Sequence, residues 1–107
     1  MVVGRFDIYF VSLDPTVASE IQKTRTCVVV SPDAMNRHIA TVIVAPLTSS
    51  AKPYPSRVSC EVSGKRGQIV LDQLRTIDKT RLGKHLGQLS VAEQEAVLGT
   101  LGEMFAR

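Results

Sequence analysis

No apolar run in this sequence approaches the roughly 18 residues that a membrane-spanning helix needs. The opening residues, Met1-Val2-Val3-Gly4-Arg5-Phe6-Asp7, lack the basic, apolar and small-residue regions of a signal peptide. The expectation is therefore a cytoplasmic protein without a membrane partner. Cysteine is scarce: Cys27 and Cys60 have no metal-ligand spacing, and both sit inside strand-like runs, as buried reduced thiols do. The two histidines, His38 and His85, have no ligand partner three or four residues away, so neither marks a metal site. Walker, dinucleotide-binding and Gly-x-Ser-x-Gly patterns are missing too, which removes the common nucleotide-binding and serine-hydrolase classes. No metal and no cofactor are expected.

What is present is ordinary in amount: 44% apolar and 21% charged residues with a net charge of +3, over 107 residues. That supports one domain across residues 1–107, and it permits a polyanionic partner without requiring one.

The informative stretch runs from Thr24 to Ser50. It contains two β-branched runs, Thr26–Ser31 and Thr41–Ser49, separated by the polar turn Pro32–His38. Runs this short and so bounded predict neighbouring strands. Arg25 opens the first and Thr48 closes the second, so pairing would bring a cation and a hydroxyl to one rim, a seat for a phosphate.

Upstream, Phe6–Leu13 predicts a strand apolar on both faces, and Asp14–Thr24 a long polar loop. Downstream, Ser49–Pro55 holds two prolines and predicts an exposed loop. Ser56–Val62 alternates with Val58, Cys60 and Val62 on one face, predicting a half-exposed strand. Ser63–Gly67 then predicts a turn, and Gln68–Leu71 a returning strand. Asp72–Asp78 has no clear period, but Asp78 suits the cap of a short helical turn ending at Leu82. Gly83–Leu89 predicts a last strand. Ser90-Val91-Ala92-Glu93 is a capping box opening a helix with Val97, Leu98, Leu101, Met104 and Phe105 on one side. The architecture expected is mainly β (α+β), a small antiparallel barrel closed by a C-terminal helix.

The polar residues left over are Ser19, Glu20, Arg25, Thr48, Ser49, Asp72, Gln73 and Arg75. Each has an ordinary reading: a solvated strand end for Arg25, a hydroxyl-to-backbone bond for Thr48, an ion pair for Asp72 with Arg75. Residue types alone lead to a small β barrel with a polyanion-compatible rim and no further.

Larger pieces taken together resemble a known family. Gly4-Arg5-Phe6-Asp7-Ile8-Tyr9, Leu13-Asp14-Pro15-Thr16, Ser19-Glu20, Arg25 before Val28-Val29-Val30-Ser31-Pro32, and Asn36-Arg37 stand in order. Val44-Ala45-Pro46-Leu47-Thr48-Ser49 and Asp72-Gln73-Leu74-Arg75-Thr76-Ile77-Asp78 follow. In this order and spacing the chain resembles the MazF/PemK toxins of toxin–antitoxin systems over essentially its whole length.

The resemblance implies an SH3-like barrel of the CcdB/Kid/MazF type and a homodimer. It further implies a metal-independent, ribosome-independent endoribonuclease that cuts single-stranded mRNA at short sequences and arrests growth. A 2′-hydroxyl would attack the neighbouring phosphate, leaving 2′,3′-cyclic phosphate and 5′-hydroxyl ends. Carried over by position, Arg25 and Thr48 would be catalytic and Glu20 a supporting catalytic group and candidate base. Ser19, Lys23, Ser49, Asp72, Gln73 and Arg75 would bind RNA. The implied partner is an antitoxin with an acidic, disordered C-terminal segment, suited to Lys23, Arg25, Arg37, Lys52 and Arg57.

Three positions depart from relatives: Thr26 stands where several have proline, Ser19 where some have histidine, and Val70 where some have arginine. Two alternatives stay open beside the nuclease: a non-catalytic CcdB-like gyrase-binding toxin, and a relic that only binds antitoxin. The tryptophan-free end, Leu101–Arg107, fits the gyrase reading poorly.

Overall fold

The structure, a computed structural model, describes residues 2–12 and 24–107. The loop expected over Asp14–Thr24 thus lies outside the described residues except for its last residue. Among the described residues there are seven strands: β1 (Asp7–Ser12), β2 (Thr24–Val29), β3 (Thr41–Thr48), β4 (Arg57–Val62), β5 (Lys65–Val70), β6 (Arg75–Asp78) and β7 (Leu82–Gln88). Two helices accompany them, α1 (Asp33–His38) and α2 (Val91–Met104). All strand pairs are antiparallel, in the order β4-β5-β3-β2-β1-β7, with β6 joined to β3.

Strand β3 is the hub. Its first half, Thr41–Val44, pairs with β6, its middle, Val44–Pro46, with β2, and its last residues, Leu47 and Thr48, with β5. The sheet buries both faces. One carries Tyr9, Val11, Cys27, Val29, Val42, Val44, Ile77 and Leu82. The other carries Ile8, Val28, Ala45, Val58, Cys60, Ile69 and Leu71, with Val97 of α2 against it. Double-sided burial explains why these strands read as near-continuous apolar runs, whereas β4, buried only at Val58 and Cys60, alternates.

Three local expectations need correction, and one segment left open, the third below, gains its structure. The turn at Pro32–His38 is mostly the helix α1. Six residues are too few for a period to show, and α1 is held by tertiary bonds instead. Buried Asn36 donates Nδ2–H to the Ser31 carbonyl at 2.9 Å and accepts from the Ser31 hydroxyl at 2.5 Å. The same Ser31 oxygen accepts from the Ile43 N–H at 3.0 Å, and Asp33 accepts from the Arg5 N–H at 2.8 Å.

The second correction concerns the β4–β5 hairpin. Its turn is only Ser63-Gly64, with φ of 52° and 78°. Two left-handed residues make the primed turn that suits twisted strands. Lys65 and Arg66 are therefore already strand, opposite Val62 and Glu61. Gly67 serves a close approach, not the turn: a β-carbon there would stand 2.7 Å from the Thr48 carbonyl oxygen.

Third, Asp72–Asp78 holds a 3₁₀ turn at Leu71–Gln73 and then β6. Asp78 does cap the next 3₁₀ turn, Lys79–Arg81, by accepting from the Thr80 N–H at 2.9 Å. That backbone bond holds its carboxyl below the usual range. Fourth, the apolar stripe of α2 is narrower than expected. Val97, Leu101 and Met104 pack on the core, but Leu98 and Phe105 are exposed. Leu98 lies about 100° around the helix from Val97, and Phe105 falls past the last turn.

The capping box forms in full: the Glu93 N–H donates to Ser90 Oγ at 3.2 Å, and the Ser90 N–H to Glu93 Oε1 at 2.9 Å. Glu93 Oε2 also accepts from the Glu61 N–H at 2.9 Å, tying the helix start to β4. No helix among the described residues is long and apolar enough to cross a membrane.

Candidate functional site

Arg25 lies near the start of β2 and Thr48 ends β3. Each stands two residues beyond the Cys27–Pro46 pair of the ladder, so alternation puts both side chains on one face of the rim. Arg25 is exposed, and its Nη2 donates to the Leu47 carbonyl at 2.8 Å, which fixes the guanidinium beside the end of β3. Among the described residues no carboxylate forms an ion pair with it. Thr48 Oγ1 accepts from the Ser50 N–H at 3.2 Å, a bond that orients the hydroxyl and leaves its proton available to donate.

These two residues line a hollow of about 430 Å³ between the strand ends and the β4–β5 hairpin. Ser49 lines it too, with Lys65 and Arg66 on the hairpin wall and Phe10, Leu47, Val62 and Leu86 supplying apolar surface. Its described lining includes three cations and no carboxylate. A polyanion is the natural occupant of such a surface.

A second hollow, about 460 Å³, adjoins it through Ser49, Arg66 and Gly67. Its lining differs in sign, for Glu61 and Glu93 stand there with a single cation, Arg66. One of its walls is braced by Gln68, whose Oε1 accepts from the Lys52 N–H at 3.0 Å and whose Nε2 donates to the Lys52 carbonyl at 2.8 Å. That double bond pins the exposed loop Ser49–Pro55, the second loop singled out by the sequence.

The remaining sequence-predicted residues sit elsewhere. Asp72 accepts from the Ser56 hydroxyl at 2.8 Å and lies 3.8 Å from Arg57 Nε, so its ion pair is with Arg57 and not with Arg75. Gln73 is exposed in the same 3₁₀ turn, and neither residue lines either hollow. Arg75, opposite Val44 on β6, lies near enough for its charge, like that of Arg25, to act on the Cys27 thiol. Burial dominates there and pushes that thiol up to about 11, against the opposite pull of the two guanidiniums. Ser19, Glu20 and Lys23 lie outside the described residues. His85 Nε2 stands 3.5 Å from Asp7 Oδ1 with its ring edge-on to Tyr9, away from both hollows. No group of three His, Cys, Asp or Glu side chains able to hold a metal occurs among the described residues.

Sequence reasoning missed Phe10, Lys65 and Arg66. The two cations were hidden inside a segment taken for a turn. Phe10 was hidden by an apolar strand whose odd man out cannot be told by hydropathy.

Comparison with known proteins identifies the family. The profile of the PemK-like, MazF-like toxin of type II toxin-antitoxin system matches residues 4–105. Endoribonuclease PemK of Escherichia coli is 41% identical over 103 residues, covering 91% of this chain and 77% of that protein. Endoribonuclease EndoA of Bacillus subtilis (strain 168) is 39% identical over 88 residues, 77% of this chain and 76% of that protein. A solved endoribonuclease in complex with its cognate antitoxin, from a mycobacterial species, superposes with a TM-score of 0.81 at 25% identity, over 94% of this chain and 92% of the other. The antiparallel curled sheet with a C-terminal helix is thus the fold that the resemblance implied. With the match spanning nearly the whole sequence, this chain belongs to the PemK-like, MazF-like toxins of type II toxin–antitoxin systems, the family of the named endoribonucleases it resembles.

Proposed function

We propose that this chain is a sequence-specific endoribonuclease toxin, an mRNA interferase, that cuts single-stranded RNA without a metal and without the ribosome. The observation that carries the reading is the hollow where Arg25 and Thr48 meet Lys65 and Arg66, with no carboxylate among its described lining. The reaction is attack of a ribose 2′-oxygen on its own 3′-phosphate. The P–O bond to the 5′-oxygen of the next nucleotide breaks, leaving a 2′,3′-cyclic phosphate and a 5′-hydroxyl.

A base takes the 2′-hydroxyl proton, an acid supplies one to the leaving 5′-oxygen, and positive charge stabilises the crowded phosphorane. Arg25, anchored by its bond to Leu47, is assigned to offer its remaining N–H groups to the phosphorane oxygens and to supply the proton to the leaving oxygen. Thr48 donates its hydroxyl to a phosphate oxygen and orients it. Glu20 is assigned the base and, with Ser19 and Lys23, rests on the resemblance alone. Ser49 borders the phosphate, whereas Asp72, Gln73 and Arg75 would hold RNA farther along. Asp72 repels an RNA backbone less because Arg57 stands beside it.

The protein is proposed to act in the cytoplasm as a single-domain homodimer, held in check by an antitoxin whose acidic segment covers the same cations. The antitoxin complex of the mycobacterial relative supports that partner class.

Digestion of a long single-stranded RNA in EDTA, comparing wild type with Arg25→Ala and mapping the ends, tests the reading. Defined cuts with cyclic phosphate ends, lost in the variant, are expected. A folded wild type that makes no cuts overturns it.

A further inference from the structure

Phe10 is an anomaly in its strand. Its neighbours Tyr9 and Val11 are buried, yet Phe10 is 42% exposed, opposite Thr26 on β2. An exposed phenylalanine is not itself informative, but this one shares with Arg25, Lys65 and Arg66 a hollow whose described lining has no carboxylate. Leu86 and Val62 extend its apolar surface, and Thr26 borders it. A purely electrostatic phosphate seat has no use for an aromatic ring at its base. A purely apolar groove would not be walled by three cations.

One ligand class satisfies both halves at once. A single-stranded nucleotide presents a flat base beside an anionic phosphate, and sequence-tolerant single-strand binders combine an aromatic platform with a basic track. The geometry points to Phe10 as the stacking platform for one nucleobase adjoining the phosphate held at Arg25 and Thr48. Lys65 and Arg66 take the flanking backbone. This deepens the nuclease reading and rests on it. It makes Phe10 a substrate-binding residue that steadies the reacting nucleotide, and it gives a role to the two cations of a hairpin strand that begins three residues earlier than its sequence suggests.

The chain has no tryptophan, so Phe10→Trp installs a single fluorescent reporter at the platform. The probe is an oligoribonucleotide spanning a mapped cleavage site with 2′-deoxyribose at the attacked position, which cannot be cut. Quenching of the tryptophan by this oligonucleotide is expected. The quench should shrink with an otherwise identical oligonucleotide made abasic at one nucleotide flanking the scissile phosphate, each flank being tried in turn. Phe10→Tyr should bind the uncut RNA as wild type does. Phe10→Leu keeps the apolar bulk but removes the ring face, and should weaken binding roughly 5- to 150-fold, the span of one base–aromatic stack. Circular dichroism of each variant checks the fold. An unquenched tryptophan, or Phe10→Leu binding as tightly as wild type, overturns the platform while wild-type cutting leaves the nuclease standing. Loss of cutting in the wild type itself overturns both.

Discussion

The two adjoining hollows share Ser49, Arg66 and Gly67, yet only one suits a polyanion. In the hollow beside Arg25 the hairpin contributes Lys65 and Arg66, and the described lining holds no acid. In the other, Glu61 and Glu93 offset the single cation. Moreover, both oxygens of Glu93 are occupied by backbone N–H groups, so its job there is to hold helix to sheet. Similar size therefore says little about use. The sign of the lining, and whether its polar atoms are already spent, separates a binding surface from a structural seam.

The comparison can be broken or sharpened by substitution. Arg25→Ala should have the largest effect, a loss of roughly 100-fold or more in cleavage rate, the scale of removing one donor to a developing oxyanion. Its circular dichroism should be unchanged because Arg25 is exposed. Cleavage that survives this change would detach chemistry from the hollow beside Arg25.

Reversing charge with Lys65→Glu and Arg66→Glu together should weaken binding of single-stranded RNA about tenfold or more at low salt. It should also flatten the logarithmic salt dependence by roughly 1.4 for two lost phosphate contacts. Glu61→Gln, in the neighbouring hollow, should shift affinity by far less. Equal and opposite effects in a filter-binding titration would show that the two hollows form one electrostatic field.

A smaller effect, on stability alone, is expected from Glu93→Ala. Losing the capping box and the bond to Glu61 should cost about 0.5–2 kcal/mol in urea unfolding while cleavage persists. A cleavage defect without destabilisation would make the second hollow a binding surface after all.

The least change concerns the thiols. Burial is the main cause that pushes Cys60, at the edge of the second hollow, up to about 11, as it does Cys27. Both should react slowly with a disulfide reagent at pH 8 until the protein is unfolded in guanidinium. A raised pKa means that the fold binds the proton more tightly. This contribution to stability is therefore complete below the ordinary thiol value of 9.0 and fades as pH climbs through about 11. Fast labelling of either thiol in the native state would show that the corresponding strand opens.

How much of this was legible beforehand depended on the scale of the signal. β3 was legible because its β-branched run is long and bounded by turn residues, and the start of α2 because a capping box is a local device. The meeting of Arg25 with Thr48 followed from strand adjacency alone. By contrast, α1 is tied down from outside its own segment, by Ile43 of β3 donating to the Ser31 hydroxyl and by Arg5 donating to Asp33. The hairpin misled because Gly64 and Gly67 look alike in sequence. One answers to its own φ, the other to the Thr48 carbonyl across the sheet. Asp72 and Arg75 are three residues apart and of opposite charge, but Asp72 lies in a 3₁₀ turn and Arg75 opens a strand, and Arg57 is the cation beside Asp72.

By itself the sequence determined the β-rich class, the strand carrying Thr48, the capped terminal helix and the family resemblance, since each rests on local propensity or on residues in a fixed order. Tertiary structure alone decided that Lys65 and Arg66 stand beside Arg25, that Phe10 is the exposed ring of an otherwise buried strand, and that Glu93 is spent on the fold. Those outcomes depend on which strands lie next to one another and on close approaches between atoms far apart in the chain, and neither is written into a residue's immediate neighbours.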